Sequence, residues 1–459
     1  MSIVLPSREP PPQIEPAQLP ACGSADRWTW LQQLRRQPDL DLEPWLVALE
    51  SGAVACQEDL LAVLADRFDP ASQRRVLRWW RLRPDPDPAL PAHVMRHRDQ
   101  ATAAWLLDQL APGPAALGAA FPPAVAAALL PLLGHQRQHQ AWPVLVSWLQ
   151  APIATTLRRA ALEGVARGLS VWPRAALVAS LSAVARDLDP QLAADAVDLL
   201  ARLPRARCVL VPLSRRPLDP SVAQRLGRRL AASPAQPLLL IVHGRSGGQV
   251  PAELGALARE LEQRRDAPVR LQALSAPGPW AAQELLLPNR GLTLVPLLLL
   301  PGGHVRRDCR AIAASWRRQL IGPGQLLQRP FLGAWPEWQR ALAAELVALT
   351  RVAAQAPDGC QRPLLLHHPI EGALALRYLT HLEHRTGARC VATSYSAPNG
   401  DGVLSSSIPA LGAASGPCML PLALAANRLT DSLAAQVGPP LLQRPRFWQL
   451  LLAELEALP

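Results

Sequence analysis

Lysine is missing from this chain: all 47 Lys+Arg positions are arginine. That excludes a P-loop lysine, a Schiff-base lysine and a Ser-x-x-Lys nucleophile. Aromatics make up only 4 % of the residues, and the 14 Trp outnumber 4 Phe and 2 Tyr. The seven cysteines (Cys22, Cys56, Cys208, Cys309, Cys360, Cys390 and Cys418) are scattered and odd in number. They form no Cys-x-x-Cys, which argues against a zinc finger and for reduced thiols in a cytoplasmic protein. No dense arginine run with interleaved aromatics occurs, so no specific nucleic-acid binding is expected. The N-terminus lacks a basic stretch followed by an apolar one, so no signal peptide is expected. The one long uncharged run, Gln109 to Gly134, contains Pro112, Pro114, Pro122, Pro123 and Pro131. Proline breaks a spanning helix, so the run predicts two short buried helices and no membrane span.

What is present is a chain of 459 residues with 49 % hydrophobic content, enough for two to four domains. Its 49 prolines predict short, interrupted elements. A net charge of +11 makes it attractive to anions. Residues 1–25 are Pro-rich and read as a disordered tail. Residues 26–232 read as a helical repeat domain. Amphipathic segments recur at Trp28–Arg36, Leu42–Ser51, Asp59–Arg67, Ala71–Trp80, Ala101–Leu110, Ala141–Gln150, Thr156–Leu169, Arg174–Arg186, Leu192–Leu203 and Val222–Leu230. Asp69-Pro70, Asp189-Pro190 and Asp219-Pro220 each set a capping carboxylate before a first-turn proline. The interval from Asp189 to Asp219 is one repeat length, and Leu157–Arg167 resembles the second helix of a HEAT-type repeat, which together predict an α-solenoid. His135 and His139 have the i, i+4 spacing of two metal ligands, with no carboxylate or cysteine near in sequence.

At Ser233 the pattern changes to alternating strand and helix. Strands are predicted at Leu238–Val242, Val269–Leu274, Leu292–Leu300 and near Leu320–Ile321. The intervening helices are Pro251–Arg264, Trp280–Leu286, Arg306–Gln319 and Pro336–Thr350. Uninterrupted apolar strands with helical crossovers specify a parallel sheet covered on both faces. A second round follows, with strands Leu364–His368, Arg389–Ser396 and Leu420–Ala425 and helices Gly372–Arg385 and Leu429–Gln436. The tail Gly322–Leu346 recurs as Gly438–Leu455, with Leu-Leu-Gln-Arg-Pro and Ala-Glu-Leu in both. The fold class is therefore an N-terminal α-solenoid followed by two copies of one small α/β lobe with parallel sheets, 233–353 and 354–459, with a cleft between them. The linker is Ala354–Pro363, and Asn399–Pro417 reads as a mobile loop.

Ligands of an open parallel sheet bind outside the C-terminal strand ends. Two strands of the first lobe end there on histidine, in Leu238-Leu-Leu-Ile-Val-His243-Gly244 and Val295-Pro-Leu-Leu-Leu-Leu-Pro-Gly302-Gly303-His304. Neutral imidazole binds Fe, Co, Ni and Zn, and serves as a base near neutral pH. Gly244, Gly302 and Gly303 allow a flat ligand to approach the backbone. Arg245, Arg306, Arg307 and Arg310 supply positive charge for an anionic substrate.

The segment Pro301-Gly-Gly-His304-Val-Arg-Arg-Asp308, together with the His243-Gly strand, resembles the class II chelatases of the CbiX type. The likeness covers about Pro237–Leu346 well and Pro363–Leu455 weakly, and leaves out the helical region. It implies two flavodoxin-like lobes around a cleft that holds an anionic tetrapyrrole such as sirohydrochlorin. His243 and His304 would hold a divalent metal and help take protons from the pyrrole nitrogens, without ATP. The only metal implied is the substrate: Co²⁺, Fe²⁺ or Ni²⁺. Two departures stand out. A glutamate ligand common in the family falls at Ser275, with Glu284 the nearest acid. The second lobe puts Asn427 opposite His304, and His367-His368-Pro369 where the first has His243-Gly244. One active site, built mainly by the first lobe, is expected, with His367 and His368 structural or relic residues.

Two rival readings remain. Gly244-Arg-Ser246-Gly-Gly248 fits a nucleophile elbow, with Asp308 and His367 or His368 as its partners, although everything upstream is helical. Alternatively the chain is a non-catalytic tetrapyrrole-binding scaffold. The helical region would offer a surface for a protein partner in either case.

Overall fold

Carboxylates start several helices of the N-terminal part. Asp69 accepts from the Ser72 N–H (2.7 Å), Asp99 from Thr102 (2.9 Å), Asp189 from Leu192 (3.0 Å) and Asp219 from Ser221 (2.8 Å). Each thereby satisfies a first-turn donor that a helix cannot bond internally. The structure is a computed structural model. It describes residues 15–37, 39–55, 57–118, 121–245, 248–274, 285, 290–320, 325–353, 363–393, 419–427, 430–431 and 437–459.

The described chain divides into two units, residues 1–200 with 218–225, and residues 201–217 with 226–459. The helices of the first part are α1 (Ala25–Arg36), α2 (Glu43–Ser51), α3 (Gln57–Leu64), α4 (Pro70–Arg81), α5 (Leu90–Val94), α6 (Gln100–Leu110), α7 (Pro123–His135), α8 (Ala141–Gln150), α9 (Thr155–Arg167), α10 (Arg174–Val184) and α11 (Pro190–Ala201). α12 (Arg207–Ser214) and α13 (Pro220–Ala231) lead into the second unit. A 3-10 turn at Pro16–Gln18 lies inside the stretch expected to be a disordered tail. No helix among the described residues is long and apolar enough to cross a membrane.

The run Gln109–Gly134 does not form two helices. It closes α6, makes a 3-10 turn at Pro114–Ala116 and then forms the single helix α7, with Pro131 inside it. Leu129, Leu130, Leu132 and Leu133 are all fully buried there. Burying each contributes about 1.5–3 kcal/mol, which together outweighs the ~3 kcal/mol that an interior proline costs. α7 and α9 touch backbone to backbone. A Cβ on Gly134 would stand 1.9 Å from the Gly164 carbonyl oxygen, and one on Gly164 would stand 2.6 Å from that of Leu130.

In the second unit, β1 (Leu238–Val242), β2 (Val269–Ala273), β3 (Leu292–Pro296) and β4 (Leu326–Gln328) form a parallel sheet ordered β2-β1-β3-β4. β5 (Leu364–His367), β6 (Arg389–Ala392) and β7 (Met419–Pro421) form a second parallel sheet ordered β6-β5-β7. In each sheet the first strand in chain order lies between the next two. β4 lies further on than Leu320–Ile321, because Leu320 still donates to Trp316 as the cap of the preceding helix. Leu326 and Leu327 pair instead with Leu292 and Thr293.

Five helices cover these sheets: α14 (Ala252–Arg265), α15 (Cys309–Gln319), α16 (Pro336–Ala353), α17 (Ala373–Thr386) and α18 (Pro445–Glu456). Alternation along β1 divides the core. Leu238, Leu240 and Val242 join α14, α16, α18 and the β5 and β7 residues Leu365 and Leu420 in one apolar cluster. Leu239 and Ile241 face the opposite way, onto Cys309, Ala313 and Trp316 of α15. One helical layer is thus shared by both sheets. The expected helix Trp280–Leu286 is described only at Leu285, and nearly all of Leu429–Gln436, as well as the loop Asn399–Pro417, lies outside the described residues.

The expectation that every thiol is reduced fails at Cys22, which is disulfide-bonded. Cys208, Cys309 and Cys390 carry no disulfide.

Candidate functional site

The C-terminal edge of the first sheet brings His243 and His304 together. His243 follows the last residue of β1. Gly244 then turns the chain with φ +73°, a left-handed conformation that a side chain resists. His304 opens a π-helical turn, His304–Asp308, in which Cys309 N–H donates to the His304 carbonyl. Such turns are rare and concentrate at functional sites. The imidazole rings lie 5.0 Å apart at 89°. Both histidines are exposed.

His304 is oriented from behind. Its Nδ1 lies 2.5 Å from Asp308 Oδ2. A carboxylate accepts from a ring N–H, so Nδ1 carries the proton of this bond, and in the neutral ring the lone pair is on Nε2. This is the carboxylate–imidazole arrangement that raises ligand basicity and fixes ring direction. His243 Nδ1 lies 3.1 Å from the Gly244 carbonyl oxygen, which leaves its Nε2 in the same role. Two imidazole lone pairs at one strand edge can bind a divalent metal or take a proton. Cys309, one residue beyond Asp308, is not part of this chemistry: burial first, and then the Asp308 charge, pushes its thiol up to about 11.

The surrounding residues divide by role. Space is open where a Cβ on Gly302 would stand, whereas one on Gly303 would meet Arg307 Nη2 at 3.0 Å. Arg306, Arg307 and Arg310 are exposed. Arg245 reaches the second sheet, donating from Nε to the Ala426 carbonyl oxygen (3.3 Å) and from Nη2 to Asp431 (3.4 Å). Ser246, Ser275 and Glu284 lie outside the described residues. The partners proposed for Ser246 are otherwise engaged. Asp308 pairs with His304, and His367 is buried with Nδ1 2.8 Å from the His368 carbonyl oxygen.

His367 and His368 differ. His367 belongs to the core, and its carbonyl accepts from Thr393 N–H at 2.9 Å. His368 is exposed at the C-terminal edge of the second sheet. Burial of part of its ring, then the nearby His243 and His367, hold its proton affinity below that of an ordinary histidine. Sequence spacing could not reveal that His368 comes within electrostatic reach of His243. Asn427, opposite His304 in the repeat, is a local cap whose Oδ1 accepts from Thr430 N–H at 3.1 Å. The His135/His139 pair is not on one helical face, because α7 ends at His135 and Arg137 turns the chain with φ +56°. Among the described residues no group of three or more His, Cys, Asp or Glu side chains is arranged to hold a metal ion.

Residues 237–348 match the family model CbiX, of the class II chelatase family. No curated protein and no solved structure matches the chain. The matched segment contains β1 to β4, both site histidines and Asp308, and it supports metal insertion into a tetrapyrrole of the class II type.

Proposed function

We propose, from the CbiX-family segment at residues 237–348, that this chain inserts Co²⁺ or Fe²⁺ into sirohydrochlorin or a related anionic tetrapyrrole without ATP. The observation that carries the reading is the perpendicular His243–His304 pair, 5.0 Å apart, with His304 held by Asp308. In this reading the two Nε2 atoms hold the incoming metal at the strand edge, so that it meets the macrocycle already partly stripped of water. Arg306 and Arg307 bind the substrate's carboxylates, whose negative charge their guanidinium groups match in pairs. The backbone at Gly244, Gly302 and Gly303 admits the flat ring. Imidazole ligation alone does not choose among Fe²⁺, Co²⁺ and Ni²⁺, since affinity rises along that series and supply decides.

The test is anaerobic insertion of each metal into sirohydrochlorin, followed by absorbance. The full chain is expected to exceed the spontaneous rate with at least Co²⁺ or Fe²⁺. A rate equal to the spontaneous one for all three metals would exclude the chelatase reading. It would favour a non-catalytic tetrapyrrole binder, a reading supported by the two-histidine site without a third acidic ligand among the described residues. The helical region is proposed to bind a protein that passes the tetrapyrrole on or receives it.

A further inference from the structure

Metal insertion has two requirements that one imidazole cannot meet at once. Two pyrrole N–H bonds must break as bonds from nitrogen to the metal form, and both protons must leave. A ring nitrogen whose lone pair holds the metal cannot accept a proton. At His304 the other nitrogen, Nδ1, is already bonded to Asp308, and at His243 it faces the Gly244 carbonyl. A base separate from the pair, near the same strand edge, would therefore speed the loss of these protons.

The second sheet provides one. β5 holds the place in its sheet that β1 holds in the first, each flanked by two parallel neighbours. His243 follows β1 directly, and His368 follows β5 directly. The two edges are joined. Arg245, two residues past His243, bonds to Ala426 and Asp431, in the segment that follows β7. β7 is the neighbour of β5, with Leu366 opposite Pro421. His368 thus lies at the edge that Arg245 reaches. Two described carboxylates of the site are engaged, Asp308 with His304 and Asp431 with Arg245. His367 is enclosed in the core.

We propose that His368 is a catalytic residue contributed by the second sheet, accepting a pyrrole proton while His243 and His304 hold the metal. The proposal rests on the chelatase reading. The step needs no oxidant: the N–H electron pair stays on nitrogen and becomes a bond to the metal. One proton passes to the His368 imidazole and then to water, and the second leaves by the same route or directly to solvent. The influence of His243 on the proton affinity of His368 agrees with this placement.

The test uses the full chain with His368→Ala and His368→Gln. Steady-state Co²⁺ insertion is compared with Co²⁺ binding measured calorimetrically without tetrapyrrole. kcat is expected to fall by about 100-fold in both variants, as when a general base is removed, with Co²⁺ binding unchanged. Added imidazole should restore part of the rate to His368→Ala. Two results would overturn the proposal: kcat within twofold of the parent chain, or a parallel loss of Co²⁺ binding, which would make His368 a ligand. If the parent chain itself fails to accelerate insertion, the chelatase reading falls and this role with it. An active parent with an equally active variant removes only the role of His368.

Discussion

His304 and Asp308 act as one chemical unit, and their spacing was visible in the sequence as His-x-x-x-Asp. What spacing could not supply is direction: the π-helical turn is what brings Nδ1 to 2.5 Å from the carboxylate. Losing such a partner typically lowers metal affinity or activity about 10–100-fold. Asp308→Ala should therefore weaken Co²⁺ binding by that amount, measured by calorimetric titration, while Asp308→Asn, which still accepts from Nδ1, should lose less. Equal binding by all three forms would show that the carboxylate does not orient the ring. His243 was legible because it follows an apolar strand beside glycine, and His304 because two glycines set it just past a second apolar run, although β3 itself stops at Pro296 and His304 opens the turn beyond it. His368 was not, because its relation to His243 depends on how two sheets meet through Arg245. Arg245 itself was expected to serve a substrate, and the structure gives its guanidinium partners on the second sheet.

At the scale of elements, proline and aspartate were good guides where the chain is exposed and poor ones where it is buried. Asp69-Pro70, Asp189-Pro190 and Asp219-Pro220 all start helices as read. The Ser72 N–H holds the Asp69 carboxyl below the usual carboxylate range, and the Leu192 N–H does the same for Asp189. A carboxyl with a depressed folded-state pKa contributes stability above its unfolded value, near 4, and loses it as pH falls through the folded value. Asp69→Asn and Asp189→Asn keep a capping oxygen but cannot titrate. The double variant should lose less thermal stability than the parent between pH 5 and pH 2, roughly the window over which such caps titrate. An identical pH profile would count against these caps. In α7, by contrast, Pro131 was overruled by burial of the leucines around it. The α7–α9 crossing gives a second test. Gly134→Ala gains up to about 1 kcal/mol of helix propensity but forces a methyl into the Gly164 carbonyl, and overpacking of this kind costs about 1–3 kcal/mol or more. The clash should win because a backbone atom cannot rotate away, so thermal unfolding is expected to shift down. An unchanged or raised midpoint would contradict the close crossing.

At the scale of the second unit, the repeated tails explain how two small sheets share one core. Trp338 and Phe447, near the starts of α16 and α18, pack with ring centres 4.9 Å apart. Arg444 of the second tail donates to Glu345 of the first at 3.0 Å. The counterpart pair, Arg329 and Glu454, also lies within electrostatic reach. The repetition was legible, but the exchange of partners between copies was not, since sequence identity says nothing of which copy a side chain meets. Nor did the sequence single out Arg265. Buried at the end of α14, it donates to main-chain oxygens of Leu455 (2.7 Å), Glu456 (3.1 Å), Leu458 (2.9 Å), Gln236 (2.7 Å) and Pro459 (2.7 Å). Each buried acceptor left without a donor costs about 1–3 kcal/mol, so Arg265→Met should lose ~3 kcal/mol or more in denaturant unfolding. A loss below ~1 kcal/mol would show that water replaces the guanidinium there. The unit so assembled holds one histidine pair at one strand edge, and the central claim is that this pair performs the insertion. The direct measurement is the rate of Co²⁺ insertion into sirohydrochlorin by the parent chain, His243→Ala, His304→Ala and the double variant. Residues that act as a unit are non-additive. Each single variant is therefore predicted to fall to the spontaneous rate, with the double variant no slower. Parent-level insertion by either single variant would contradict the account.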